Sequence, residues 1–289
     1  MSRTRAKEAN RNLSMAATGL FARESGSVET PVIIFLHGAE HSGRCWQPVV
    51  NRLPQYRCLF PDLPRHGESV RQGPFGIDRA ASAVAELIRD RVGNDRVHLV
   101  GHSLGAQVGA QLLATEPDLI DRTVLCGTIV NTLPGVWLTR NLLGALAGIS
   151  RSFEMSHLNR DEALTAGAPS GDADNQPDGV HPMSADQLSE IVVASAGFTV
   201  PDGLERSDSP TLFLTGAAEP AFVHQSATAL RRRIPNGVEG IALGMRHDWP
   251  LRYPGIFALT VKGWLSGAAL PSRIMLSAPD ARLTEPPQD

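Results

Sequence analysis

The stretch that decides the fold of this chain is Val97 to Gly109, which reads VHLVGHSLGAQVG. An apolar run typical of a β-strand leads directly into a G-x-S-x-G pattern, and a small-residue pattern typical of a helix follows. The pattern predicts a sharp strand-to-helix turn with Ser103 at its tip. Such a turn brings the flanking backbone so close that glycine is needed on both sides, as Gly101 and Gly105 supply. The N-terminus of the helix would favour negative charge near the serine.

This pattern resembles the nucleophile elbow of the α/β-hydrolase superfamily, and further family features occur in the expected order. Val32 to Leu36 reads as an apolar strand, and the next residues, His37-Gly38-Ala39, match the family's H-G-x loop. The resemblance implies that the backbone N–H groups of Ala39 and Leu104 form an oxyanion hole.

A second turn supports the same resemblance. Residues 57–60 read as the next strand, and residues 62–69 (DLPRHGES) are similar to the family's D-x-x-G-H-G-x-S turn. Arg65 stands where the family usually has glycine. The resemblance extends over roughly residues 15–267, which is nearly the whole chain.

The family places its general base on a loop after the last strand, and His247 fits this position. Residues 238–243 read as the final strand, and residues 244–250 (GMRHDWP) resemble the catalytic-histidine loop that precedes the closing helix. The other histidines lie inside structural motifs or lack a useful partner spacing. His247 is therefore the predicted general base.

The acid of the triad is expected on the turn after strand seven, in a G-x-x-D pattern. Here residues 211–215 read as that strand, and Glu219 occupies the acidic position. Glutamate is an accepted triad acid, and the turn can absorb its extra methylene. The alternative position after strand six, residues 127–131, contains no acidic residue. Asp248 is a weaker competitor, because it is better placed to cap the helix that begins near Pro250.

Composition excludes several other classes. The 289 residues suffice for one large α/β domain with an insertion, and a formal net charge of −3 with no basic stripe argues against nucleic-acid binding. No apolar run is long enough to span a membrane. The three cysteines are an odd set without a zinc spacing to each other or to the histidines, which predicts no metal and a reducing, cytoplasmic setting. No cofactor is expected, because serine chemistry of this type needs none.

The predicted organisation has four parts. Residues 1–12 form a basic arm, residues 13–130 and 207–267 the core, residues 131–206 a helical cap after strand six, and residues 268–289 a tail disordered at its end. Apolar residues recur at helical spacing in the cap. Residues 167–182, rich in Gly, Pro and Asp, are predicted to be a mobile loop that gates entry. The candidate pocket-lining residues are His102, Trp137, Leu143 and Leu146.

These features predict an α/β-hydrolase fold, with a mostly parallel sheet flanked by helices. By the resemblance, Ser103 attacks an acyl carbonyl, His247 transfers the proton and Glu219 orients the imidazole, which makes small to medium apolar carboxylic esters the expected substrates. The same triad is compatible with a lactonase, thioesterase, amidase, C–C hydrolase or cofactor-free haloperoxidase-like enzyme, since the fold does not decide among them. A ligand receptor without turnover is a further alternative, against which the intact triad and both elbow glycines weigh.

Overall fold

A computed structural model describes residues 13–15, 19–130 and 183–277. Within these residues, nine strands form one sheet in the order β1-β2-β4-β3-β5-β6-β7-β8-β9. Their bounds are β1 Leu13–Met15, β2 Phe21–Ser25, β3 Val32–Leu36, β4 Arg57–Pro61, β5 Val97–His102, β6 Ile120–Cys126, β7 Thr211–Gly216, β8 Gly237–Ala242 and β9 Ile274–Leu276.

The six strands from β4 to β8 in the spatial order pair in parallel, whereas β1, β2 and β9 pair with their neighbours antiparallel. The central strands β3, β4 and β7 are buried along their whole length. Continuous burial is the expected property of parallel strands whose two faces are both covered by helices.

Seven α-helices lie in the described residues. They are α1 Gln47–Val50, α2 Ile77–Arg91, α3 Leu104–Thr115, α4 Ala185–Gly197, α5 Ala221–Arg231, α6 Trp249–Arg252 and α7 Pro254–Ser266. None of them combines the length and apolar character needed to cross a bilayer.

The sheet divides the core into two apolar clusters, because successive side chains of a strand point to opposite faces. On β3, Ile34 and Leu36 belong to the cluster that contains residues of α2 and α3. Ile33 and Phe35 belong to the other cluster, which contains residues of α1 and α7. Burial on both faces fixes β3 in the centre of the sheet. This also fixes the start of the loop that follows β3, at His37.

The predicted α/β architecture is confirmed, and the strands near the site begin and end within three residues of their predicted bounds. One prediction was wrong: residues 238–243 were expected to be the final strand, but β9 follows and pairs with β8. Residues 131–182, with most of the predicted cap and its gating loop, lie outside the described residues. The described part of the predicted cap, residues 183–206, includes α4, whose Ile191 is buried in the same cluster as residues of α2 and α3.

Candidate active site

Ser103 occupies the sharp turn between β5 and α3, where its backbone has a φ of 54° and a ψ of −114°. This is an unfavourable conformation for a residue with a side chain, of the kind that persists only where the surroundings enforce it. A Cβ on Gly101 would lie 2.5 Å from the carbonyl oxygen of Gly105, and a Cβ on Gly105 would collide with the carbonyl oxygen of Leu36. Both elbow glycines are therefore required by close backbone contacts, as the motif predicts.

Glu219 and His247 form a direct pair. His247 Nδ1 donates to Glu219 Oε1 at 2.5 Å, and the backbone N–H of Gly216 donates to Oε2 at 2.5 Å. The backbone N–H of Glu219 also donates to the carbonyl oxygen of Gly216 at 3.0 Å, which closes the turn after β7. Glu219 is buried, with 7% of its surface exposed. Both carboxylate oxygens are thus fixed, and one of them orients the imidazole.

The pKa of His247 reflects opposing effects. Burial lowers this pKa, but the hydrogen bond and the negative charge of Glu219 raise it, as do the charges of Asp248 and Glu40. The balance places the pKa of His247 above its usual value of 6.5. The imidazole is therefore a stronger base than a free histidine, which suits proton abstraction from a hydroxyl group.

The loop that carries His247 is held against the nucleophile turn. His102, the residue before Ser103, has its Nε2 within hydrogen-bond distance (2.8 Å) of the carbonyl oxygen of His247, and the two rings lie 4.9 Å apart. The backbone N–H of Ser103 donates to the carbonyl oxygen of Cys126 at the end of β6. His102 is buried, so it braces the loop at this position. Ser103, Glu219 and His247 thus all follow the carboxyl ends of parallel strands, on the same side of the sheet.

The predicted oxyanion donors are the residue after the serine, Leu104, and Ala39, whose neighbour Gly38 packs against the serine. Ala39 follows β3 in a turn that is closed by a hydrogen bond from the His41 N–H to the Gly38 carbonyl oxygen at 3.1 Å. Leu104 is the first residue of α3. Within the described residues, neither backbone N–H donates to an acceptor. Both donors are therefore available to a ligand, which is the property an oxyanion hole needs.

The Ala39 turn is also held from below. His66 Nε2 lies 2.9 Å from the carbonyl oxygen of Ala39. The buried carboxylate of Asp62 accepts from Arg23 Nη1 at 2.9 Å and from the Gly43 N–H at 2.7 Å. The predicted turn at residues 62–69 therefore has a structural role, since it supports the loop that carries the candidate oxyanion donor.

Other predicted site residues have different outcomes. Asp248 is exposed and makes no contact with the imidazole nitrogens; it stands at the N-terminus of α6 as predicted, but its side chain makes no capping hydrogen bond. Trp137, Leu143 and Leu146 lie outside the described residues. Their role as pocket-lining residues remains a prediction.

Comparison with known proteins identifies the family. A family model described as alpha/beta hydrolase fold matches residues 31–246. The chain belongs to this family. A curated "AB hydrolase superfamily protein" from Gibberella zeae is 27% identical over 273 residues, covering 91% of this chain and 90% of that protein.

The chain is also similar to part of a lipase and to the fold of an enol-lactonase. Lipase LipV from Mycobacterium tuberculosis is 38% identical over 93 residues, which are 32% of this chain and 35% of that protein. The crystal structure of the enol-lactonase from Burkholderia xenovorans LB400 superposes with a TM-score of 0.68 at 19% identity, covering 88% of this chain and 99% of that chain. The second likeness concerns the fold alone.

Two residues near the candidate triad, Gly127 and Glu40, were not predicted from the sequence. A Cβ on Gly127 would lie 2.7 Å from His247 Cε1 and 3.3 Å from Glu219 Oε1, so the pair packs on bare backbone. Glu40, directly after Ala39, is close enough to His247 to affect its pKa. A glycine after a strand is too common a signal to identify Gly127, and nothing local in the sequence indicates that Glu40 is near the imidazole.

Proposed function

We propose that this protein is a serine hydrolase that cleaves uncharged carboxylic esters through an acyl-enzyme intermediate. The observation that carries the proposal is the buried Glu219 carboxylate, which is bonded to His247 Nδ1 at 2.5 Å. It is joined by a serine at a strained strand-to-helix turn, whose preceding residue, His102, lies within hydrogen-bond distance of the His247 carbonyl oxygen. An acid, a base and a nucleophile in this arrangement are what acyl transfer requires.

In the proposed mechanism, His247 Nε2 takes the proton of the Ser103 hydroxyl as Oγ attacks the ester carbonyl. Glu219 keeps the proton of the neutral imidazole on Nδ1, so that Nε2 is free to accept, and then stabilises the imidazolium. The N–H groups of Ala39 and Leu104 donate to the tetrahedral oxyanion. His247 then protonates the leaving alcohol. In the second half of the reaction, His247 takes a proton from water as the water attacks the acyl-enzyme, and it returns the proton to Ser103 Oγ as the acid leaves.

Esters are the favoured substrate class because two features of the site suit their cleavage. The backbone N–H groups of Ala39 and Leu104 can bind the oxyanion, and His247, whose pKa is raised, can act as the base. Lipase LipV, a relative whose name indicates ester cleavage, supports this choice over the third of this chain that it matches. The expected substrates carry small to medium apolar acyl groups, since burying an unpaired substrate carboxylate would be costly.

The test measures hydrolysis of a panel of esters, lactones, thioesters and amides of matched acyl length, together with labelling by a serine-directed phosphonate. We expect the highest kcat/KM on esters, stoichiometric labelling of Ser103, and a loss of about 10⁴- to 10⁶-fold in kcat for Ser103→Ala. A folded Ser103→Ala protein with more than a few percent of the activity would refute the nucleophile. Labelling without turnover of any panel member would favour a receptor.

A further inference from the structure

Glu40 is an acidic side chain that the proposed mechanism does not use. It lies in the turn from Gly38 to His41 and directly follows Ala39, the candidate oxyanion donor. The start of this turn packs against the nucleophile, because a Cβ on Gly38 would lie 3.5 Å from Ser103 Cβ. Two Cα steps of about 3.8 Å each separate Glu40 from Gly38. Glu40 therefore lies two residues from the contact with the nucleophile, and it is close enough to His247 for each charge to affect the pKa of the other.

The carboxyl group of Glu40 has no structural partner in the described residues. Its Oε1 is fully buried and accepts no hydrogen bond, whereas the buried carboxylates of Asp62 and Glu219 have both oxygens bonded. Leaving a buried acceptor unpaired is costly, and such groups in native structures call for an explanation. Binding to a ligand is the explanation that the location next to Ser103 favours.

The electrostatic surroundings agree with a group that changes charge near neutral pH. Burial raises the pKa of Glu40 to about 7, while the charge on His247 acts to lower it. The other titratable groups around His247 and this turn are Glu219, Asp248 and three histidines: His41, His66 and His102. Burial lowers the pKa of His41 to about 4 and also lowers the pKa of His66 and of His102. The pKa of Glu40 thus lies near neutral, while the pKa of His247 is raised above 6.5.

We propose that Glu40 is a specificity-determining residue, whose buried Oε1 accepts a hydrogen bond from a hydroxyl or amide N–H that the substrate carries close to its ester carbonyl. The inference rests on the proposed ester hydrolysis and refines its acyl group. The preferred acyl group is uncharged and otherwise apolar, but it carries a hydroxyl or acylamino group near the carbonyl, as in esters of hydroxy or acylamino acids. An ionised carboxylate accepts hydrogen bonds and cannot donate them. The preference for a donor on the substrate therefore increases as Glu40 loses its proton.

The experiment uses two pairs of p-nitrophenyl esters that differ by a hydroxyl in place of a methyl group: lactate against isobutyrate, and β-hydroxybutyrate against isovalerate. The measured quantity is the ratio of kcat/KM values within a pair, divided by the same ratio for hydroxide-catalysed hydrolysis. Titration of His247 affects both esters alike and cancels in this ratio. For the wild-type protein we expect one pair to favour the hydroxyl ester by at least about tenfold, because a hydrogen bond to a charged group contributes strongly.

The ratio should also rise through about pH 7, where the Glu40 pKa lies, and level off above it. Glu40→Leu should reduce the ratio to near one at every pH. Glu40→Gln, which keeps an acceptor oxygen but cannot ionise, should retain part of the preference without the pH dependence. Phosphonate titration of Ser103 counts folded, competent sites in each variant.

Asp248→Asn is the matched control, because Asp248 also raises the pKa of His247 but is exposed. This variant should shift the pH profiles of the individual esters and keep the ratio. Wild-type ratios near one for both pairs, or a preference that persists in Glu40→Leu, would overturn the assignment of Glu40 while leaving ester hydrolysis intact. Absence of both turnover and labelling would instead refute the proposed function.

Discussion

Replacing Gly127 by alanine tests whether the imidazole position, set by the backbone at the end of β6, limits the reaction. The added Cβ would lie 2.7 Å from His247 Cε1, whereas ordinary contact begins at 3.4 Å. The imidazole must therefore move by about 0.7 Å, the difference between these distances. The same Cβ would lie 2.8 Å from Nδ1, so the movement also strains the hydrogen bond to Glu219.

The expected cost has two parts. A misplacement of about 1 Å in a catalytic group can lower the rate by roughly 10²-fold, so we expect kcat for Gly127→Ala to fall by roughly that factor. Gly127 also has a φ of 63°, in the left-handed region, where a side chain costs roughly 1–2 kcal/mol. The free energy of unfolding should fall by at least that amount.

Steady-state hydrolysis of p-nitrophenyl acetate, normalised by phosphonate titration, measures the first part, and urea denaturation measures the second. Gly93→Ala is the control, because Gly93 has a φ of 84° but no atom within 4 Å of the added Cβ. This control should lose a similar free energy of unfolding and keep kcat. If Gly127→Ala retains kcat within about threefold of the wild type, the argument that sub-ångström placement of His247 controls the rate is wrong.

Three further outcomes follow from the same geometry. For the wild-type protein, kcat/KM should rise with pH and reach half of its maximum above pH 6.5, because neutral His247 is the active form and its pKa is raised. A midpoint below pH 6.5 would contradict the pairing with Glu219. Glu219→Gln should lower kcat by up to about 10⁴-fold with little change in KM, and should move that midpoint down, since the raising charge is removed; an unchanged profile would assign the acid elsewhere. Arg65 has a φ of 68°, and its Nε donates to Glu190 of α4 at 3.0 Å, so Arg65→Ala should be less stable than the wild type in urea denaturation. Arg65→Gly should be about 1 kcal/mol more stable than Arg65→Ala, because glycine removes the backbone strain. Equal stability of the two variants would refute the strain.

The parts of the fold and site that could be predicted from sequence are those encoded locally. Ser103 is identified by the glycines two residues to either side, and the apolar strand before it fixes the context of the turn. Glu219 and His247 follow recognisable strands, so their order along the chain was readable. The hydrogen bond between their side chains depends on the strand order of the sheet. That order was expected only from the family resemblance, because no local pattern in the sequence encodes it.

Other features depend on contacts between distant segments. The burial of Glu40 Oε1 is a property of its neighbours in space, and a glutamate in a turn ordinarily reads as solvated. β9 was missed because it has three residues, two of which, Met275 and Leu276, are exposed, so no alternating pattern marks it. Arg65 departs from the usual glycine, yet it keeps the left-handed backbone and uses its side chain to bond Glu190, 125 residues away.

The strand order also explains why Gly127 must lack a side chain. Ser103 follows β5 and His247 follows β8, and β6 and β7 lie between them in the sheet. With neighbouring strands about 4.8 Å apart, the two residues leave the sheet at points about 14 Å from each other. The loop after β8 must therefore reach back across the ends of β7 and β6 towards β5. Glu219 meets the imidazole above β7, and Gly127 lies beneath it at the end of β6. The parallel sheet thus presents the candidate nucleophile, acid and base after three different strands. They can meet because Gly127, at the end of β6 between them, has no side chain.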